Sequence, residues 1–168
     1  MKFFQIVISI VVGLSASCTP ITGFNIGAGH FERVKKLFTL LLICETVIGT
    51  IAFIIVEIFP ANIAELFGAS GESAHYMNFT VKCFRTYLCL IIFACINKAA
   101  FIFIQGMGKA WTSAGLSMTR EIIFGAGLTI IMPIFMGLDG VLWSMPASDG
   151  LTLIISSIVI MKIYKQLK

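Results

Sequence analysis

Pro20-Ile21-Thr22-Gly23-Phe24-Asn25-Ile26-Gly27-Ala28-Gly29-His30-Phe31-Glu32-Arg33-Val34-Lys35-Lys36 separates two long apolar runs. It closes one apolar helix, makes a short basic turn and opens the next. Upstream, apolar and small residues continue from residue 3 to Gly29, which predicts a membrane helix over about residues 3–24. The same start imitates a secretory or lipoprotein signal, with Met1-Lys2, an apolar run over residues 3–14 and then Ser15-Ala16-Ser17-Cys18. Cleavage there would leave an intensely hydrophobic remainder, so the helix reading is preferred. Lipid on Cys18, visible by mass spectrometry, would restore the alternative.

Working outward from that stretch, composition sets the solvent. Apolar residues fill 58% of the 168 positions and charged ones 12%, with a mean hydropathy of +1.01. Soluble domains carry about twice that share of charge. The four further apolar spans are residues 37–59, 77–105, 111–136 and 141–163. At ~1.5 Å per residue, spans of more than twenty residues cross a ~30 Å hydrocarbon core as helices and are too long for barrel strands. The predicted fold is therefore all-α, a polytopic membrane protein with five transmembrane helices. Pro60 ends the second span, and residues 61–75 form a connection with Glu65, Glu72 and a Gly68-Ala69-Ser70-Gly71 turn. Gly106-Met107-Gly108-Lys109 and Gly137-Leu138-Asp139-Gly140 are predicted as tight turns.

Basic residues set the orientation. Arg33, Lys35 and Lys36 follow the first span, Lys109 follows the third, and Lys162, Lys165 and Lys168 end the chain. The opposite connections carry Glu65, Glu72 and Asp139, while Lys82 and Arg85 lie within a helix start. Lys/Arg-rich loops stay on the cytoplasmic side, so the carboxyl end is expected in the cytoplasm and the amino end outside. The formal charge of +4 is a topology signal, with no aromatic-and-basic pattern for nucleic acid. Five cysteines, without C-x-x-C or Cys/His metal spacing, are read as reduced packed side chains. Trp111, Trp143 and Tyr164 fit interfacial anchors.

The opening stretch resembles the P-I-x-G-[FY]-N-x-G-A-x-x-x-x-R-V-K-K pattern of multidrug and toxic compound extrusion (MATE) transporters. Four more elements resemble the family in order: Leu66-Phe67-Gly68-Ala69-Ser70, Phe103-Ile104-Gln105-Gly106-Met107-Gly108-Lys109-Ala110, Ser117-Met118-Thr119-Arg120, and Gly137-Leu138-Asp139-Gly140-Val141 with Pro146-Ala147-Ser148-Asp149. The likeness is greatest to the bacterial DNA-damage-inducible (DinF) and staphylococcal (MepA-like) branch. It implies twelve helices in two six-helix lobes around a substrate cavity, of which residues 1–168 would supply helices eight to twelve, an incomplete C-terminal lobe. It also implies cation-coupled antiport, with H⁺ or Na⁺ driving export of organic, often cationic, compounds from the bacterial inner membrane. The expected partners are the bilayer, drug-like small molecules and the absent N-terminal lobe, with no cofactor beyond the coupling ion. The chain is then expected to be a fragment unable to transport alone; the rival reading is a non-transporting membrane module or a degenerate gene remnant. As family-motif positions with structural roles, Pro20, Gly23, Asn25, Gly27, Gln105, Gly108 and Pro146 are singled out.

Ionisable residues inside the spans are the candidate site, because charge deep in a bilayer is costly and faces a bundle interior. Glu45 lies nine residues beyond Lys36, about 13 Å up the helix, and Lys98 eight before Gly106, about 12 Å. Arg120 lies eleven beyond Lys109, about 16 Å, and Asp149 thirteen before Lys162, about 20 Å. If this band lines the cavity, Glu45 and Asp149 would bind a cationic drug or the coupling ion. Arg120 would orient a carboxylate, and Asn97 and Lys98 would supply polar cavity groups. The structural alternatives are a buried Glu45–Lys98 pair, Lys98 snorkelling to the headgroups, and a P-x-x-D that only shapes the last helix. Glu121, one residue from Arg120, is expected about 100° away and off the same face. Gln105 and Lys109 are expected to cap and anchor their turn. His30 and His75, both expected in loops, carry no metal role. Gly23, Gly27 and Gly29 are read as helix-packing and turn residues, since no strand precedes them and no P-loop lysine follows. An enzyme is not indicated: H-E-x-x-H and G-x-S-x-G are both absent.

Overall fold

The computed structural model describes residues 2–69 and 73–166; Met1, then Ser70, Gly71 and Glu72 of the expected acidic connection, and Lys168 of the basic tail lie outside these. Eight α-helices follow one another among the described residues: α1 Lys2–Gly27, α2 Phe31–Ile58, α3 Pro60–Ala64, α4 Ala74–Leu88, α5 Ile91–Gly106, α6 Ala110–Met118, α7 Gly127–Met136 and α8 Leu138–Gln166. Thr119–Ala126, between α6 and α7, is a π-helical segment, and Glu65–Ala69 is a second, shorter one. Four continuous helical rods are long and apolar enough to cross a membrane, and the bent pair α4–α5 makes a fifth. The chain is an all-α polytopic membrane protein.

Several boundaries differ from the sequence reading, each for a local reason. Arg33, Lys35 and Lys36 are not in a loop but on the first turns of α2. Gly29, at φ 73°, reverses the chain at once, and the His30 carbonyl accepts the amides of Arg33 and Val34 at 3.1 and 3.3 Å. Pro60 does stop α2, yet it also opens α3 as its first residue, where a missing amide costs nothing. His75 stands on the first turn of α4, not in a loop. The span expected as one rod over residues 77–105 is bent by 45° at Cys89-Leu90. Its outer half, α4, carries charges that reach sideways. Lys82 pairs with Asp139 at 2.5 Å, and Arg85 pairs with Glu57 at 3.3 Å. These bonds tie α4 to the start of α8 and the end of α2. Of the predicted turn at 137–140, only Gly137 is outside the helices.

α5 is the hub, packed against α1, α2, α6 and α8. One side of the core joins Val7 and Val11 to Ala52, Val56, Leu88, Ile91 and Cys95. Toward the other end, Val34, Phe38 and Leu41 pack on Ala99, Ala100 and Phe103. Small residues let the backbones close: a Cβ on Gly49 would stand 3.0 Å from the Ile92 Cα, so glycine is required where α2 crosses α5. α7 buries none of its residues and presents Ile130, Ile134 and Phe135 outward. In water such a face would be a liability; against acyl chains it is the expected surface.

Candidate functional site

Three elements converge on one network of charge. Asn97 and Lys98 sit midway along α5, Arg120 and Glu121 in the π segment, and Asp149 in α8, three residues after the buried Pro146. The Arg120 Nε donates to Asp149 Oδ1 at 2.7 Å, and its Nη1 donates to Glu121 Oε1 at 2.7 Å. Lys98 Nζ donates to the same Glu121 oxygen at 3.1 Å. Two cations and two carboxylates thus cancel formally. The pair at the centre is shut away, Arg120 and Asp149 each 3% exposed. Glu121 at the outer end has a half-exposed side chain, and that of Lys98 is a quarter exposed.

Neutral groups hold the charges in place. Asn97 Nδ2 donates to the Asp149 carbonyl at 3.0 Å, and Ser156 Oγ donates to Asn97 Oδ1 at 3.0 Å. Ser148 Oγ donates to the Arg120 carbonyl at 3.1 Å. That bond matters because π-helical turns loosen the regular i→i−4 ladder and are frequent at functional sites. A recess of about 380 Å³ opens beside the network, lined among others by Val12 of α1, Lys98, Phe101 and Gln105 of α5, and Ser113 and Ser117 of α6.

The expected band divides in two. Asn97, Lys98, Arg120 and Asp149 meet; Glu45 does not join them. It is fully buried on α2 and accepts a hydrogen bond from Ser15 Oγ of α1 at 3.0 Å. The Glu45–Lys98 pair offered as an alternative is absent, as is a Lys98 reaching only for the headgroups: its ammonium is on Glu121. Glu121, expected off the Arg120 face, lies instead in the same network. The π turn lowers the rotation per residue, and the long guanidinium spans what remains. Sequence reading also passes over Ser15, Ser148 and Ser156, since single serines in apolar helices carry no pattern of their own.

The motif positions serve the backbone. Asn25 Nδ2 donates to the Ile21 carbonyl at 2.8 Å, on the turn after Pro20 interrupts α1. A Cβ on Gly23 would stand 3.8 Å from the Gly106 carbonyl, in ordinary contact, while one on Gly27 would meet nothing within 4 Å. Gln105 caps through its carbonyl, which accepts the Gly108 amide at 2.9 Å. Gly108 is at φ 79°, a conformation that costs other residues strain. Trp111 is almost wholly exposed, and Trp143 partly so. Tyr164 is held more firmly than an interfacial anchor requires, with its hydroxyl on the Lys35 carbonyl at 3.2 Å and its ring on Phe38.

Comparison with known proteins agrees with this architecture. The MatE family profile matches residues 1–131. The MATE multidrug transporter DinF-BH, solved in complex with a small molecule, is 25% identical with a TM-score of 0.87, over 96% of this chain and 36% of that one. An inward-facing multidrug resistance MATE family transporter of the MOP superfamily has a TM-score of 0.90 at 18% identity, over 99% of this chain and 38% of that one. A MATE structure in complex with MaL6 has a TM-score of 0.91 at 17% identity, over 99% and 37%. This chain thus spans under two fifths of the length of the solved transporters it resembles. No curated protein matches it. With the family profile covering well over half of its residues, the chain belongs to the MatE family.

Proposed function

We propose that this chain forms one part of a multidrug efflux antiporter that exports organic, often cationic, compounds in exchange for H⁺ or Na⁺. The observation that carries the reading is the charge network Lys98–Glu121–Arg120–Asp149. It stands inside membrane-spanning helices of a MatE-family chain and is graded from a sealed pair to a half-exposed carboxylate. An organic cation approaching the recess meets Glu121, whose charge is shared by Lys98 and Arg120. Competition for that carboxylate loosens the ties between α5, the π segment and α8. Movement of one helical bundle against another is how transporters alternate access, so the chain works with the remaining helices of the family architecture, including a facing lobe. In this reading it occupies helices eight to twelve, in the bacterial inner membrane, with the amino end of α1 outside and the basic ends in the cytoplasm. The higher identity to DinF-BH than to the other two structures supports the DNA-damage-inducible branch.

The test is efflux of a fluorescent organic cation from cells expressing the transporter that contains this chain. Glu121→Gln and Asp149→Asn should each reduce efflux at least tenfold at unchanged membrane abundance. Wild-type efflux from both would reject the network as transport machinery. No efflux from the wild-type transporter would favour the non-transporting reading.

A further inference from the structure

Glu45 is separated from the network just described, and its surroundings are chemically different. No part of its side chain is exposed, Ser15 Oγ donates to Oε1 at 3.0 Å, and Oε2 accepts no hydrogen bond. An ionised carboxylate has acceptor capacity for about four hydrogen bonds; here it has one. None of the six ion pairs among the described residues includes Glu45. The titratable groups facing it are thiols: Cys18 on α1, Cys95 on α5 and its neighbour Cys44 on α2. Charge without a countercharge or a hydrogen-bond shell is not tolerated in such a medium, and the group neutralises instead.

A proton and a sodium ion would make different demands on this place. Membrane-buried sodium sites draw on unwound backbone carbonyls and half-helix ends. Around Ser15 and Glu45 both helices run unbroken, α1 over Lys2–Gly27 and α2 over Phe31–Ile58. The nearby hydroxyls of Thr46 and Thr50 are turned to carbonyls of their own helix, at 2.7 Å each. Two carboxylate oxygens and one serine hydroxyl remain, too few for a hard cation that keeps several oxygen ligands. A proton needs one. It bonds to the oxygen that accepts nothing, turns –COO⁻ into –COOH, and removes the buried charge.

We propose that Glu45, oriented by Ser15, is a proton-binding site separate from the Arg120–Asp149 network, and that it takes H⁺ and excludes Na⁺. Its role as the coupling site rests on the transport reading above; its existence as a proton site does not. The helix faces give the consequence. In the protonated state α1, α2 and α5 pack with Glu45 sealed. Release of the proton leaves a buried anion, which favours separation of α1 from α2 and access of water.

The experiment is hydrogen/deuterium difference infrared spectroscopy of the full chain in lipid nanodiscs at neutral pH, in sodium and in potassium buffer. A protonated-acid C=O band is expected in wild type, lost in Glu45→Gln and unchanged by Na⁺. In Ser15→Ala the band should persist but shift to higher frequency, because the serine hydrogen bond is gone. That shift decides the matter even if Glu45→Gln fails to fold. Absence of the band in wild type, its persistence in Glu45→Gln, an unshifted band in Ser15→Ala, or its loss on adding Na⁺ would overturn the assignment. The band reads the site without transport. Failed efflux with the band present would strike the coupling role and leave the proton site standing.

Discussion

Removing Asp149 tests the buried pair most directly. In Asp149→Leu the Arg120 guanidinium stays 3% exposed and loses its 2.7 Å partner. Breaking a buried ion pair from one side costs about 3–5 kcal/mol. Arg120 keeps the Glu121 bond at 2.7 Å, so the lower end applies, about 3 kcal/mol, or on the order of 100-fold in the folded-to-unfolded ratio. Arg120→Met should cost a similar amount, since Asp149 is then left sealed without its cation. Replacing both is different. Buried pairs exchanged for apolar residues of like volume are often neutral or stabilising, and the double change also eliminates Arg120 Nη2, a buried donor without an acceptor. The double variant should fall within about 1 kcal/mol of wild type. Unfolding in mixed micelles of increasing SDS fraction, followed by helical circular dichroism, measures all four proteins. Singles within about 1 kcal/mol of wild type, or a double worse than either single, would refute the reasoning.

Other expectations follow from the same geometry. Gly49→Ala should destabilise by about 1–3 kcal/mol, because its Cβ would press on the Ile92 Cα at 3.0 Å. Gly115→Ala, with nothing within 4 Å of the added Cβ, should instead be neutral or stabilising by up to about 1 kcal/mol; thermal unfolding in detergent compares the two. Ser148→Ala should cost about 1 kcal/mol through the Arg120 carbonyl it leaves unpaired, and hydrogen exchange should quicken in 119–126 before it does in α1. Lys82→Ala, at an ion pair with both side chains about half exposed, should change stability by less than about 1 kcal/mol, less still at high salt. A larger loss would mean that the α4 tether is structural.

The membrane class, the helical rods and the order of punctuation were legible because each rests on a local property. Bilayer thickness fixes span length, and proline, glycine and basic clusters mark ends. The residues of the network were legible for a related reason: charge deep in a span is rare enough to stand out alone. Their partners were not. Lys98 is equally placed in sequence to meet Glu45 or Glu121, and the rotation of α5 decides between them. The π segment is invisible to a 3.6-residue period, so that period puts Arg120 and Glu121 on different faces. The bend at Cys89-Leu90 escapes the sequence because an apolar run does not show where tertiary bonds redirect it.

By itself, the sequence determined that this chain is a helical membrane protein with a few ionisable groups sunk in its spans, and its motifs named the family. Free energies of transfer act residue by residue, so they can be read one letter at a time. Only the tertiary structure decided that Arg120 and Asp149 are sealed together, that Glu121 bridges to Lys98, and that Glu45 stands apart with a single serine. Which charge meets which depends on helix rotation and close approach. Those are set by packing around α5, where every neighbour contributes and no single stretch of sequence holds the answer.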